Sequence, residues 1–424
     1  MPRFFYSLLF YLVQPLVWLR LLWRAHKQPE YLQHLGERYG FHSQAAPGRL
    51  LWLHAVSVGE TRAAEPLIKA LLDEYADHSL LLTHMTPTGR ATGGELIAKY
   101  GPRLIQAYLP YDLPDACDRF LDHFKPRLGL LMETELWPNL IAAARQHSLP
   151  LSLINARLSA RSQRGYQRLS PLMRPALDAL RAVAAQTQAD ADRLLAIGAR
   201  RVSVSGNLKF DVTPSAEKLQ LGAKWRQALG TRPVWLAAST REGEEVLILN
   251  AFARIDRSDL LLLLVPRHPQ RFPEVVELVQ ERKFELCRRS EGSLPAQKTQ
   301  VWIGDSMGEM PAYFALADVA LIGGTLLPHG GQNLIEASAC GCPVLVGPHT
   351  FNFAQATLDA IACGAALRIA DADEAASEVG KLLDNREALY SMRSAAASFS
   401  QAHRGATART LALIREIMAP RTAD

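Results

Sequence analysis

Along residues 50 to 208 the chain alternates short apolar runs with segments whose apolar residues recur at helical spacing. LLWLHAV (50–56), SLLLTHM (79–85), RLIQAYLP (103–110), RLGLLMET (127–134), LPLSLINA (149–156), RAVAAQT (181–187) and RVSVSG (201–206) read as strands, with helices between them, for example over 61–75 and 113–123. Alternation of this kind predicts a parallel sheet covered on both faces. After the polar DVTPSAEK the pattern restarts, and PVWLAAS (233–239), LLLLLVP (260–266), TQVWIG (299–304), DVALIGG (318–324) and CPVLVGP (342–348) give five more strands. The expected fold class is therefore α/β, with two doubly wound domains over 25–208 and 225–424 and a linker over 209–224. Ligands of such sheets bind outside the carboxyl ends of the strands. Two opposed sheets then predict a central cleft suited to bringing two substrates together.

The amino terminus breaks the alternation. FFYSLLFYLVQPLVWLRLLW (4–23) is interrupted only by Ser7, Gln14, Pro15 and Arg20. About 20 apolar residues can span a bilayer. Arg20, Arg24, His26 and Lys27 add the basic flank expected beside an anionic leaflet. No small-residue cleavage site follows, so residues 1–24 are expected to be a membrane anchor, spanning or lying in the plane, rather than a signal peptide.

Composition adds little to this picture. The 424 residues are 48% hydrophobic and 21% charged, as in an ordinary folded protein too long for one core. The net charge of +5 and the lack of zinc-finger, RNP or basic-helix signatures argue against nucleic acid as a partner. Five cysteines, an odd number in mostly apolar or small-residue surroundings, fit reduced thiols in the cytoplasm.

The chemistry lies in the loops. LHAVSVGETRAAEPLIKALL (53–72) reads as a strand end, a turn at Gly59 and an amphipathic helix. A glycine turn opening a helix usually offers backbone N–H groups to an anion. Here the first polar side chain is Glu60, a carboxylate that would repel a phosphate. From the residues alone it is either a helix-stabilising first-turn glutamate or a carboxylate held at the helix start for chemistry. Later in the chain, Arg267, His268 and Arg271 follow one strand, and Asp305, Gly308 and Glu309 follow another. Gly330-Gly331 is expected to open a helix carrying Asn333 and Glu336 on one face, with freed amides for a phosphate and Glu336 for a ribose diol. The competing reading makes Asn333 a cap and Glu336 a favourable first-turn charge. Between 155 and 175, Arg157, Arg161, Arg164, Arg168 and Arg174 occur without an acidic residue. They form either a solvated face or a site for a phosphate-bearing lipid, since the guanidinium fork suits phosphate.

HAVSVGE (54–60), METELWPN (132–139), NARLSARS (155–162), GNLKFD (206–211), VPRHPQRF (265–272), GDSMGE (304–309), GGQNLIEA (330–337) and GPHTFNF (347–353) together resemble the 3-deoxy-D-manno-octulosonic acid (Kdo) transferases of lipopolysaccharide assembly. The resemblance runs over nearly the whole chain. It implies a GT-B fold, two Rossmann-like domains facing a central cleft, and inverting transfer of Kdo from CMP-Kdo to the lipid A precursor lipid IVA. Two successive additions are expected. It also implies a place at the cytoplasmic side of the cell inner membrane, in contact with its phospholipid. In the family's pattern Glu60 is the general base, and Glu133 and Lys209 stabilise the transition state. CMP contacts fall on Pro266 and Arg267, on Met307, Gly308 and Glu309, and on Asn333, Leu334, Ile335 and Glu336. CMP carries a single phosphate, which an arginine and helix-start amides can neutralise, so no metal or other cofactor is expected. The competing assignments are a GT-B transferase using a UDP-sugar in lipid-disaccharide or peptidoglycan-precursor synthesis, and an inactive sugar-nucleotide-binding scaffold.

Overall fold

The computed structural model describes residues 2–419; Met1 of the expected anchor and residues 420–424 of the expected second domain lie outside the described residues. The described chain forms two compact units, residues 2–212 with 404–419, and residues 213–403. This departs from the expected boundaries at both ends of the second unit. No linker runs over 209–224: the turn Leu208–Asp211 buries Leu208 and Phe210 in the first unit, and the helix Ala216–Leu229 already belongs to the second. The last helix, Ala406–Met418, returns to the first unit, where Ala406, Leu411 and Ile414 join the core beside Leu67 and Leu130. Asp211 anchors that return, accepting the backbone N–H of Gly405 (2.6 Å) and of Thr407.

The first unit holds seven parallel strands: β1 (Leu50–His54), β2 (Ser79–His84), β3 (Leu104–Tyr108), β4 (Leu128–Met132), β5 (Leu151–Ala156), β6 (Val183–Ala185) and β7 (Val202–Val204). Their order is β3-β2-β1-β4-β5-β6-β7. The chain thus winds outward from β1 to β3, then crosses back to β4, and the winding reverses between β1 and β4. In open α/β sheets such a reversal leaves a crevice at the carboxyl ends of the two strands. β1, β4 and β5 are buried at every position because helices cover both faces. One cover is the helix Val58–Glu74, which turns Ala63, Ala64, Leu67, Ile68, Leu71 and Leu72 inward.

The second unit repeats the plan with β8 (Val234–Thr240), β9 (Leu261–Pro266), β10 (Leu286–Arg288), β11 (Val301–Ile303), β12 (Val319–Ile322), β13 (Val344–Val346) and β14 (Ala366–Arg368), in the order β10-β11-β9-β8-β12-β13-β14. Its reversal lies between β8 and β12. The five strands expected from sequence are present. The two additional ones, β10 and β14, are three-residue edge strands ending in arginine, too short and polar to register as apolar runs.

The amino-terminal stretch is not one straight helix. Pro2–Leu12 and Gln14–Lys27 meet at 46°, and Pro15, which cannot donate a backbone hydrogen bond, stands just after the break. No single helix among the described residues is long and apolar enough to cross a membrane; the bent pair meets that test by length and composition together. Phe4, Phe5, Leu9, Leu12, Leu16, Leu19 and Trp23 are all more than half exposed, Trp23 at 70%. The pair is tied to the first unit by its polar side chains. Tyr6 donates to Asp112 (2.8 Å), Ser7 to Asn139 (2.9 Å) and Tyr11 to Asp115, while Trp18 stacks on Tyr39.

Candidate active site

The reversal of the first sheet brings together the carboxylates expected to do chemistry. β1 leads through Ala55 and Val56 into the helix that carries Glu60, and β4 leads directly into Glu133. Glu60 is the third residue of its helix, after the flanking Ser57. Its carboxylate accepts the Val56 N–H (2.9 Å) and the Ser57 hydroxyl (3.1 Å). Gly59 does not make the expected turn. It is an ordinary helical residue without a positive φ, and a Cβ there would meet nothing within 4 Å. The helix start does not keep Glu60 in the ordinary carboxyl range. Burial, reinforced by the charges of Glu133 and Glu135, pushes its pKa up to about 7, against the stabilising bonds from Val56 and Ser57. A carboxyl poised there exchanges protons readily at neutral pH.

Glu133 sits in the left-handed region at φ +58°, where a side chain costs roughly 1–3 kcal/mol. Lys209 Nζ reaches its Oε1 at 3.2 Å. Asn155, at the end of β5 and also left-handed at φ +49°, accepts the Leu208 N–H on its side-chain oxygen at 3.0 Å. It thereby fixes the turn that carries Lys209. Glu135 accepts the Trp137 indole N–H at 2.7 Å, and burial raises its pKa too. Glu60, Glu133 and Lys209 therefore form one cluster within one unit. Asn155 is the member that the residue pattern did not reveal; a left-handed asparagine at a strand end is its only local signal.

In the second unit the expected donor residues lie at the carboxyl ends of β9, β11 and β12. Pro266 closes β9 with its ring buried, and Arg267 donates through Nε to Gln332 at 3.2 Å, bringing the loop after β9 to the residue before Asn333. Met307 and Gly308 are exposed. Glu309 is engaged by Arg289 through two 3.0 Å bonds and by Ser306 at 2.6 Å. Burial opposes its ionisation, but these partners prevail and its pKa is lowered. Arg289, which lies over the Trp225 ring, is a second residue missed in the sequence because the strand before it was missed.

The helix carrying Glu336 begins at Leu334 rather than at the glycines. The Gly331 and Gln332 amides are not freed for a phosphate. They donate to the carbonyls of Gly324 (2.7 Å) and Gly323 (3.0 Å), folding the two glycine pairs together. Gly323 is required there, since a Cβ would stand 2.3 Å from the Ser239 carbonyl oxygen. Asn333 caps the helix by accepting the Ile335 N–H at 3.1 Å. Leu334 and Ile335 are buried, so neither presents its side chain to a ligand. Glu336 is partly exposed in the first turn, and its helix packs beside Met310–Leu316, the helix that Glu309 begins. The reversal point itself is held by Glu244, fully buried, which accepts the backbone N–H groups of Arg241, Gly324 and Leu326.

The chain contains two Asp-x-Asp triplets, 190–192 and 371–373, and neither includes an expected site residue. Asp190 accepts the Leu158 N–H and the Thr187 hydroxyl; Asp371 caps a helix and Asp373 pairs with Arg254. Arg161, Arg164, Arg168 and Arg174 are exposed along Ala160–Arg168 and Ser170–Ala179, and the second of these helices touches Pro2–Leu12.

Comparison with known proteins agrees with this arrangement. Residues 33–212 match the family model described as 3-Deoxy-D-manno-octulosonic-acid transferase (kdotransferase), and residues 241–399 match Glycosyl transferases group 1. The 3-deoxy-D-manno-octulosonic acid transferase of Bordetella pertussis is 46% identical over 97% of this chain and 98% of its own. That of Haemophilus influenzae is 38% identical over 98% of both. A solved glycosyltransferase from Rickettsia africae, 13% identical, superposes with a TM-score of 0.60 over 89% of this chain and 100% of its own, a likeness of fold. Two seven-stranded parallel sheets, a carboxylate cluster at the reversal of the first, and near-full-length identity of this order place the molecule: it is a GT-B glycosyltransferase belonging to the 3-deoxy-D-manno-octulosonic acid transferase family.

Proposed function

We propose that the enzyme transfers Kdo from CMP-Kdo to lipid IVA, twice in succession and with inversion, at the cytoplasmic face of the inner membrane. The observation that carries the chemistry is Glu60, a half-buried carboxyl with a pKa of about 7 beside Glu133 and Lys209. As the acceptor hydroxyl attacks the anomeric carbon, its O–H bond breaks toward Glu60 while the bond to the CMP phosphate breaks and CMP leaves. Proton removal by a positioned base typically contributes about 10²–10⁴-fold. Lys209 offsets negative charge gathered around the reacting atoms. CMP leaves with a single phosphate, a charge that the guanidinium of Arg267 is suited to neutralise, so the reaction is written without a metal.

The bent amino-terminal pair supports the membrane assignment. Tyr6, Ser7 and Tyr11 bond to the first unit while Phe4, Phe5, Leu9, Leu12, Leu16, Leu19 and Trp23 face outward, the pattern of a helix lying in an interface. Arg174, exposed on the helix that touches the pair, and Arg161, Arg164 and Arg168, exposed on the helix before it, suit the phosphates of a lipid A precursor.

The test is incubation of the purified protein with CMP-Kdo and lipid IVA, followed by mass spectrometry of the lipid. The expected result is two added Kdo residues, and a loss of at least about 100-fold in Glu60→Gln. A preference for a UDP-sugar donor, or an unmodified lipid, would overturn the assignment.

A further inference from the structure

A hydrogen-bonded path leads from the end of β2 to Glu60. His84, the last residue of β2, is fully buried, and its Nδ1 lies 3.0 Å from the Ala55 carbonyl oxygen. A carbonyl only accepts, so Nδ1 carries the proton. Burial pushes the ring's pKa down to about 4, which leaves it neutral. The Ala55 carbonyl belongs to the same peptide unit as the Val56 N–H, and that N–H is the one donated to Glu60 Oε2 at 2.9 Å. Hydrogen bonds in series polarise one another, so a donor on the carbonyl strengthens the N–H at the other end of the amide. The next carbonyl, that of Val56, is held from the same side by the Met85 N–H (3.3 Å) and the Thr86 hydroxyl (3.2 Å).

We infer that His84 is a positioning residue for the base: through the Ala55–Val56 peptide it orients and strengthens the N–H that favours the ionised form of Glu60. The inference rests on the reading of Glu60 as the base. The other groups facing the Glu60 carboxyl are the Ser57 hydroxyl and the carboxylates of Glu133 and Glu135, with Lys209 acting through Glu133. His84 bonds to none of these. Its second neighbour is Thr61 Oγ1 at 3.4 Å, the nearby charge is that of Arg90, and the neighbouring His54 is neutral. Removing the imidazole therefore weakens one of the two bonds that hold Glu60 ionised and leaves the repulsive carboxylates in place.

The expected effect in His84→Ala is an upward move of the acidic limb of the kcat–pH profile by about one unit. Transfer would fall about tenfold near pH 6 and recover above about pH 8. His84→Asn, whose amide N–H can stand where Nδ1–H stood, is expected to hold the limb within about 0.3 unit of wild type. An unmoved limb in His84→Ala, or an equal loss at every pH, overturns the inference. Glu60→Gln run alongside separates the two readings: full activity there removes the base assignment itself, whereas its inactivation together with an unmoved limb in His84→Ala removes only the role of His84. Truncating a buried ring can also cost folding, so the wild-type enzyme supplies a second measurement. With isotope-labelled histidine, nuclear magnetic resonance must find His84 as the neutral Nδ1–H tautomer throughout the limb; the other tautomer or a cation there overturns the inference as well.

Discussion

Lys209 Nζ stands 3.2 Å from Glu133 Oε1, with both side chains less than one-fifth exposed. The pair joins the loop after β4 to the turn Leu208–Asp211, residues 76 positions apart in the chain. It places the one cation of the cluster on a carboxylate whose charge raises the pKa of Glu60.

Neutralising either partner should move the base in opposite directions. In Lys209→Met the charge on Glu133 loses its offset, so the pKa of Glu60 climbs above about 7 and the acidic limb of transfer shifts up. In Glu133→Gln the repulsion disappears and the limb shifts down, toward the ordinary carboxyl range. Both variants are expected to lose at least about 100-fold in kcat, because the proposed reaction also uses Lys209 and Glu133 to stabilise the transition state. Profiles of kcat against pH for the two variants check the signs; a limb that moves the same way in both would contradict the electrostatic coupling.

Acid lability should trace to two buried histidines. Burial lowers His54 to about 3 and His84 to about 4, from an ordinary value near 6.5. The unfolded chain therefore takes up protons first, and stability present above pH 6.5 is lost as pH falls toward 4. The full window is worth on the order of 5 kcal/mol for His54 and 3 kcal/mol for His84. Glu60 acts with the opposite sign, since its raised pKa makes the folded state lose stability as pH rises from about 4.5 through 7. Denaturant unfolding between pH 4.5 and 7.5 should thus show a steeper acid loss in Glu60→Gln than in wild type. Parallel curves would refute the balance.

Adjacent glycines should respond oppositely to alanine. A Cβ on Gly93 would stand 2.4 Å from His84 Nε2 and 2.5 Å from Gln106 Oε1, while one on Gly94 would meet only Gln106 Nε2 at 3.8 Å. Both lie in the helix Pro87–Tyr100, where alanine gains roughly 1 kcal/mol over glycine. Overpacking costs about 1–3 kcal/mol. The buried imidazole is tethered at Nδ1, so Gly93→Ala is expected to lower the melting temperature and Gly94→Ala to hold or raise it. Differential scanning calorimetry of the pair decides this.

Strands were legible wherever both faces are covered, because LLWLH, LGLLM and LLLLVP leave no alternation to misread. The edge strands LCR and ALR were not, since an edge tolerates polar residues and three positions carry no period. Glu60 stood out at a strand end, whereas Glu133 and Lys209 were named through the family resemblance. What held them was not legible. The grip of Asn155 on Leu208 and of His84 on Ala55 depends on which strands lie side by side, and β2 lies beside β1 only once the winding is known. The glycines at 330 and 331 misled for a related reason: their amides close a loop against Gly323 and Gly324, a partner that spacing alone does not supply.

The homecoming of Ala406–Met418 has a consequence for how the polypeptide matures on the ribosome. Ile414, which packs without exposure among Leu67, Leu71 and Leu130, is synthesised after every residue from 213 to 403. The early half must wait, with an open groove along its hydrophobic interior, until the later half has been made. Truncation from the carboxyl end therefore wounds the earlier-made body before it touches the later one.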